Sequence, residues 1–237
     1  RAADSGNAAA QYQVAVMASQ GAGGPKDEAT AALYYKKSLQ TWKKEADDGD
    51  AKAALWAALV YERKLVPDSS PEKSVPYLLQ AAESGNLTAQ GLLAFKYRDG
   101  LGVPQDAAKA VEWFEKAASR KDLGAVMELG IMFRDGKYLP PDREKAFHWF
   151  EKGAEWKDPY SMAALADMLL EGTPSAEQAA RALALYREAA AVGYFPAALK
   201  AAELLQNGKG GELDADEAYR LLRRVADAAG DPKAMDM

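Results

Sequence analysis

Cysteine is absent from the 237 residues, and histidine occurs once, as His148. Without a thiol there is no disulfide, no thiolate metal site and no cysteine nucleophile. With one imidazole, a metal site would have to be built from carboxylates. The chain also lacks any apolar run near the roughly 18 residues that a membrane span needs. Excess positive charge is missing as well. Thirty Lys and Arg face 35 Asp and Glu, a net charge of −5, and this argues against a phosphate-backbone ligand, which is neutralised by clustered cations. No signal peptide is visible, but the chain begins with Arg1 rather than Met, so that absence is uninformative. The lack of cysteine leaves both the cytoplasm and the oxidising periplasm open.

What the sequence does contain is a period of 36 residues. The segments 51–86, 87–122, 123–158, 159–194 and 195–230 stack in register without a gap. Leu or Ala stands seventh in each, a small residue eighth, and Tyr, Phe or Leu eleventh. Gly100, Gly136, Gly172 and Gly208 all fall fourteenth. Ala110, Ala146, Ala182 and Ala218 align, as do Trp113 and Trp149. Such a period signals a solenoid, because one unit cannot bury its apolar face alone and must stack on its neighbours.

Each unit reads as helix, glycine-containing loop, helix. In 87–122, Ala89, Leu93, Ala94 and Tyr97 recur at helical spacing. Asp99-Gly100 ends the first helix, glycine accepting the left-handed backbone of a helix terminus. Asp106, with Asp142 and Asp214 in the same column, suits the N-cap of the second helix, and Ser70-Pro71 offers a capping serine with proline at the first helical position. Pro76 lies inside a second helix and predicts a kink or a delayed start. The first unit, 8–50, is seven residues longer than the others. Seven residues are close to two helical turns, so an insertion within 28–36 can lengthen a helix and keep the same face inward.

The expected organisation is a single repeat domain over 1–237. Residues 1–7 read as the end of a preceding repeat, 8–50 as a repeat with a seven-residue insertion, the five segments above as regular repeats, and 231–237 as the start of another. Neither end shows a polar capping repeat, so the expectation is that the native chain extends beyond both and that open ends can self-associate.

These columns resemble the Sel1-like repeat, a 36-residue relative of the tetratricopeptide family. Residues 89–118 (AQGLLAFKYRDGLGVPQDAAKAVEWFEKAA) carry its pattern most closely, and 125–154 nearly as well. Val66-Pro67 replaces the loop glycines in one unit, and Gln178 the capping Asp in another. The resemblance implies an all-α, right-handed superhelical α-solenoid of helix-turn-helix repeats that acts as an adaptor for protein partners, with no catalytic residues. It favours a bacterial protein, periplasmic slightly more than cytoplasmic. An immunity protein that occludes a secreted toxin such as a phospholipase is the alternative it brings.

The residues themselves show no catalytic constellation, no metal set and no cofactor motif. His148 shares its column with Pro76, Glu112, Ala184 and Arg220, the variety of a solvent-facing position. Asp47, Asp48 and Asp50 cluster at a helix end, as solvated acidic turns do. A sugar-cleaving enzyme using groove carboxylates such as Glu128 and Asp167 is the remote alternative.

At 100° per residue, first-helix columns 4, 7, 8 and 11 define the packed face, and columns 2, 6, 9 and 13 point away from it. In tetratricopeptide-like solenoids those outward columns line the concave groove, an inference from the resemblance. Here they hold an apolar run, Val16, Trp56, Leu59, Leu92, Phe95 and Ile131, and then acidic residues, Glu128, Asp135, Asp167, Glu171 and Glu203. The expected partner is a protein with apolar anchors and neighbouring basic residues. Trp42, Tyr77, Trp113, Trp149, Phe150 and Tyr186 are expected in the core, and Lys43-Lys44 on an exposed helix face.

Overall fold

The computed structural model of the chain describes residues 6–211 and 213–229. The expected helix start at 231–237, and most of the expected helix end at 1–7, lie outside the described residues. Among the described residues there are twelve helices and no strand, in two compact units, Arg1–Arg120 and Lys121–Met237.

The first unit contains α1 (Ala8–Gln20), α2 (Glu28–Asp47), α3 (Ala51–Glu62), α4 (Pro71–Glu83), α5 (Leu87–Asp99) and α6 (Ala107–Ala118). The second contains α7 (Leu123–Asp135), α8 (Arg143–Glu155), α9 (Pro159–Leu169), α10 (Ala176–Ala191), α11 (Phe195–Asn207) and α12 (Ala215–Ala229). Within each unit every odd-numbered helix packs on the even-numbered one after it, and that one on the next odd-numbered helix.

Capping explains the regular starts. Asn7, Asp50, Asn86, Asp122 and Asp158 cap α1, α3, α5, α7 and α9 through side-chain oxygens 2.7–3.0 Å from backbone N–H groups. Asp106, Asp142 and Asp214 do the same for α6, α8 and α12. Gly100, Gly136 and Gly208 end α5, α7 and α11 with φ of 71°, 65° and 65°, where a side chain would be strained.

Three local expectations need correction. Ser70 stands at the N-cap of α4 but makes no capping bond; its hydroxyl serves the Glu72 carboxylate instead and holds that carboxyl below its ordinary value. Pro76 does not delay α4, which begins at Pro71 and runs through it. Ahead of α10 the cap moves three residues upstream to Ser175, and Gln178 returns a bond to the Ser175 N–H, a reciprocal capping box. Gln178 thus belongs to the cap, and α10 starts earlier for that reason. In the first unit α2 is 20 residues long.

First-helix columns 4, 7 and 8 are buried in all five regular repeats, from Ala54, Ala57 and Ala58 to Ala198, Ala201 and Ala202. Columns 3 and 10 are buried too, which the single-face reading does not predict. A helix inside such a stack meets neighbours on two sides, so its inward stripe is wider. Column 10 holds Val60, Met132, Met168 and Leu204, but in α5 it holds Lys96, 4% exposed. Its ammonium lies 2.7 Å from Glu62 Oε1 and 3.3 Å from the Leu101 carbonyl.

Trp42, Trp113, Trp149, Phe150 and Tyr186 are buried, as expected, whereas Tyr77 is half-buried. Lys43 departs from its exposed reading. It is half-buried beside Tyr61 and then Tyr77, which push its ammonium up.

Candidate functional site

In the first unit the outward columns carry Val16, Trp56, Leu59, Leu92 and Phe95, and every one is half-buried. Packing covers part of each and leaves part open. Phe95 meets the Phe114 ring edge-on at 5.1 Å, and the Arg98 guanidinium lies 4.7 Å from its centroid. Trp56 stacks on Trp42 at 5.4 Å with planes 15° apart, and Tyr12 leans on both at 5.6 and 5.7 Å. Arg63 Nη1 donates to the Tyr12 hydroxyl at 3.0 Å.

A cleft of about 310 Å³ opens where α1, the end of α2 and the start of α3 meet. Tyr12, Trp42 and Trp56 line it together with Glu45, Asp50 and Lys52. The repeat columns singled out Trp56 but not Tyr12 or Trp42. Tyr12 stands at column 5 of the first repeat, outside the outward columns, and Trp42 falls in a second-helix column otherwise filled by core residues such as Phe114 and Phe150. The signal that would have found them is aromatic content: Tyr12, Tyr34, Tyr35 and Trp42 crowd into one helix pair.

In the second unit Glu128 and Ile131 on α7 are half-buried. Asp135 is exposed, but Arg134 Nε lies 2.7 Å from its carboxylate and offsets its charge. The other three acidic positions converge. Asp167, Glu171 and Glu203 line one cleft of about 600 Å³ framed by the end of α9, the start of α10 and the end of α11. The Tyr186 hydroxyl donates to Asp167 Oδ1 at 2.5 Å. Burial, then that carboxylate, drives the Tyr186 phenol far above its ordinary value. Lys200 Nζ stands 3.9 Å from Asp167, and Glu171 pairs with Arg143 at 3.1 Å. Three carboxylates against Lys200 and Lys209 leave the lining mildly acidic.

Glu128 does not line the cleft that holds Asp167, so the two carboxylates of the sugar-cleaving alternative do not share one cavity. Among the described residues no group of three His, Asp or Glu could hold a metal ion. His148 is exposed on α8, edge-on to Trp149 at 5.3 Å. No described helix is long and apolar enough to cross a membrane.

Antiparallel helix pairs stacked at a fixed 36-residue period define an α-helical repeat protein. The Sel1 repeat model matches residues 8–40, 52–86, 88–122, 124–155, 159–194 and 196–229, and the chain belongs to that family. Proteins of the family are generally interaction scaffolds and typically non-enzymatic. No curated protein matches the chain.

Among solved structures, a Sel1 repeat protein from Oxalobacter formigenes is 28% identical with a TM-score of 0.71. It covers 98% of this chain, which spans 65% of its length. The protective antigen c5321 of uropathogenic Escherichia coli is 26% identical with a TM-score of 0.67; the match covers 98% of this chain and 56% of that one. Immunity protein Pa5087 from Pseudomonas aeruginosa is 16% identical over 92% of this chain and 81% of its own, with a TM-score of 0.43, too distant to inform function.

Proposed function

We propose that this chain is a scaffold that binds a partner protein through the outward columns of its first helices. In the first unit Val16, Trp56, Leu59, Leu92 and Phe95 supply apolar anchorage. In the second, Ile131 adds an apolar contact, and Glu128, Asp167, Glu171 and Glu203 favour basic residues, with Asp135 contributing less because Arg134 offsets it. One observation carries the reading. Large apolar side chains recur at columns 6 and 9 of α3 and α5 and stay half-open, while the columns between them are buried. Partly exposed Trp, Phe and Leu in adjacent repeats are the raw material of an interface core.

The test is site-specific photocrosslinking in the source cell, with the crosslinker at Leu59 or, as a control, at His148. A partner that crosslinks at Leu59, not at His148, and is lost in a folded Leu59→Glu/Phe95→Glu variant supports the scaffold. Equal crosslinking at both positions, or retention by the variant, sinks it. A captured secreted toxin, silenced at one-to-one stoichiometry, would make the scaffold an immunity protein; several partners would make it an adaptor.

A further inference from the structure

We infer that the aromatic cleft between α1, α2 and α3 receives an arginine side chain of the partner. The proposal rests on the scaffold reading for the nature of the ligand, and on the cleft itself for the chemistry.

Most tryptophans of this chain are paired with a cation. Lys116 Nζ sits 3.7 Å from the Trp113 ring centroid, Lys152 Nζ sits 5.1 Å from that of Trp149, and both Lys121 and Lys152 lie within 6 Å of Trp156. All three of those indoles carry a cation from their own chain. Trp42 and Trp56, the two that line the cleft, carry none among the described residues. Trp is the strongest cation–π acceptor among side chains, and the open part of Trp56 has that capacity unspent, while Trp42 backs it from beneath.

The lining is also short of positive charge. The Glu45 carboxylate makes no ion pair or hydrogen bond among the described residues; only the Glu45 carbonyl is engaged, by the Asp50 N–H. Asp50 uses Oδ1 to cap α3 through the N–H groups of Lys52 and Ala53, leaving Oδ2 available. Against these two carboxylates the lining holds one ammonium, that of Lys52. The cleft therefore favours a cation that can also donate hydrogen bonds.

Geometry selects guanidinium over the alternatives. A quaternary ammonium needs a void ringed by aromatic faces, but here the three rings pack on one another at 5.4–5.7 Å and leave no void between them. A sugar needs a broad open ring face. Trp42 is only 4% exposed, and Trp56 gives one face to it. A planar guanidinium needs only the open part of Trp56 and Tyr12 to stack on, and a carboxylate to fork onto.

The experiment titrates three probes into the full chain: the blocked tripeptide acetyl-Gly-Arg-Gly-amide, its Leu counterpart, and diacetylchitobiose. The readout is the indole N–H resonances. The arginine peptide is expected to shift Trp42 and Trp56 saturably, and Trp113 and Trp149 not at all. Glu45→Gln should weaken it about threefold and Lys52→Ala should tighten it by a similar factor, the scale of one exposed ion pair. Both variants change exposed side chains, and an unchanged melting temperature confirms the fold.

Equal shifts with the leucine peptide, shifts with the disaccharide alone, no shift at all, or arginine binding indifferent to both variants would each overturn the proposal. A Leu59-dependent partner complex that persists after such a result leaves the scaffold standing. Loss of that complex, with arginine binding intact, removes the scaffold reading and keeps the cleft.

Discussion

The two units are built on one repeat and differ where the repeat is indifferent. Columns 3, 4, 7 and 8 are buried in both, and small or apolar everywhere but at Gln90, and asparagine or aspartate caps open most of the helices in both. At columns 6 and 9 the chemistry changes. The first unit places Trp56, Leu59, Leu92 and Phe95 there, half-buried, and the second ends with Asp167, Lys200 and Glu203, all exposed. Pairing of the helices does not dictate the outward columns, so their chemistry can differ between the units. Column 10 shows the opposite case, a buried position that tolerates an exception. Lys96 in the first unit stands where the second has Met132, Met168 and Leu204.

The largest test of that contrast is Glu62→Gln. It leaves the Lys96 ammonium buried without its carboxylate, and it should cost about 2–3 kcal/mol in urea unfolding. That is at or just below what breaking a fully buried pair costs, because Glu62 is 27% exposed and Glu72 remains near. Lys96→Met with Glu62→Leu, which gives the first unit the second unit's chemistry, should recover most of the loss. A single-variant cost below about 0.5 kcal/mol would mean the pair behaves as a surface pair.

Column 8 offers the next test. It is alanine in both regular repeats of the first unit, Ala58 and Ala94, and glycine in one repeat of the second, at Gly130, where an added Cβ would overlap the Phe150 ring. Phe150 is fully buried, so its ring cannot swing out to solvent without opening the core. Gly130→Ala should destabilise by about 1–2 kcal/mol, the overpacking cost less the helix propensity gained. A stabilised variant would show that the ring moves aside, and the two units would then be equivalent at this column.

Much of this was legible in the sequence, because the 36-residue period ties each helix pair to the same columns. Gly100, Gly136 and Gly208 marked helix ends, Asp106, Asp142 and Asp214 marked starts, and Trp113 and Trp149 marked the core. The burial of Lys96 was hidden, since a lysine in one repeat reads as surface unless its column is read across all five. The cleft with Trp42 was hidden for another reason. It joins α1, α2 and α3, and its residues come from an inward core column (Trp42), an outward column (Trp56) and a column on neither list (Tyr12), so no single column links them. At the acidic end, Asp167, Glu171 and Glu203 stood at outward columns, and their convergence on one cleft needed the packing of α9, α10 and α11. Asp135 looked equivalent, but Arg134 beside it removes most of its effect.

Alkaline pH should separate the units by a smaller amount. Tyr186 in the second unit is raised, first by burial and then by its bond to Asp167. Tyr194 in the second unit and Tyr77 in the first are raised less, mainly by burial. Below the unfolded phenol value of about 10 both states hold these protons and the contribution is complete. Above it the unfolded chain releases them while the folded chain retains them, so stability falls as pH rises. Each such group adds a slope of up to about 1.4 kcal/mol per pH unit. Melting curves between pH 8 and 11 should show the decline, and Tyr186→Phe should flatten it more than Tyr77→Phe. Equal flattening would put the two phenols on the same footing.

The smallest contrast lies in two serines at helix starts. Ser175 in the second unit accepts the Gln178 N–H at 3.1 Å, and Gln178 Oε1 accepts the Ser175 N–H at 2.8 Å. Ser70 in the first unit makes no capping bond, and Pro71 after it has no N–H to satisfy. Ser175→Ala removes the side-chain acceptor for an N–H group of the first turn and should cost about 1 kcal/mol, whereas Ser70→Ala should cost only a few tenths. Hydrogen exchange at the first turns of α10 and α4 reads the difference locally. Faster exchange at Gln178 in Ser175→Ala, with α4 unchanged in Ser70→Ala, is the expected pattern. Equal losses at both helices would mean that the Ser70 hydroxyl stabilises α4 through Glu72 as strongly as a direct cap does, and that the two starts differ in wiring alone.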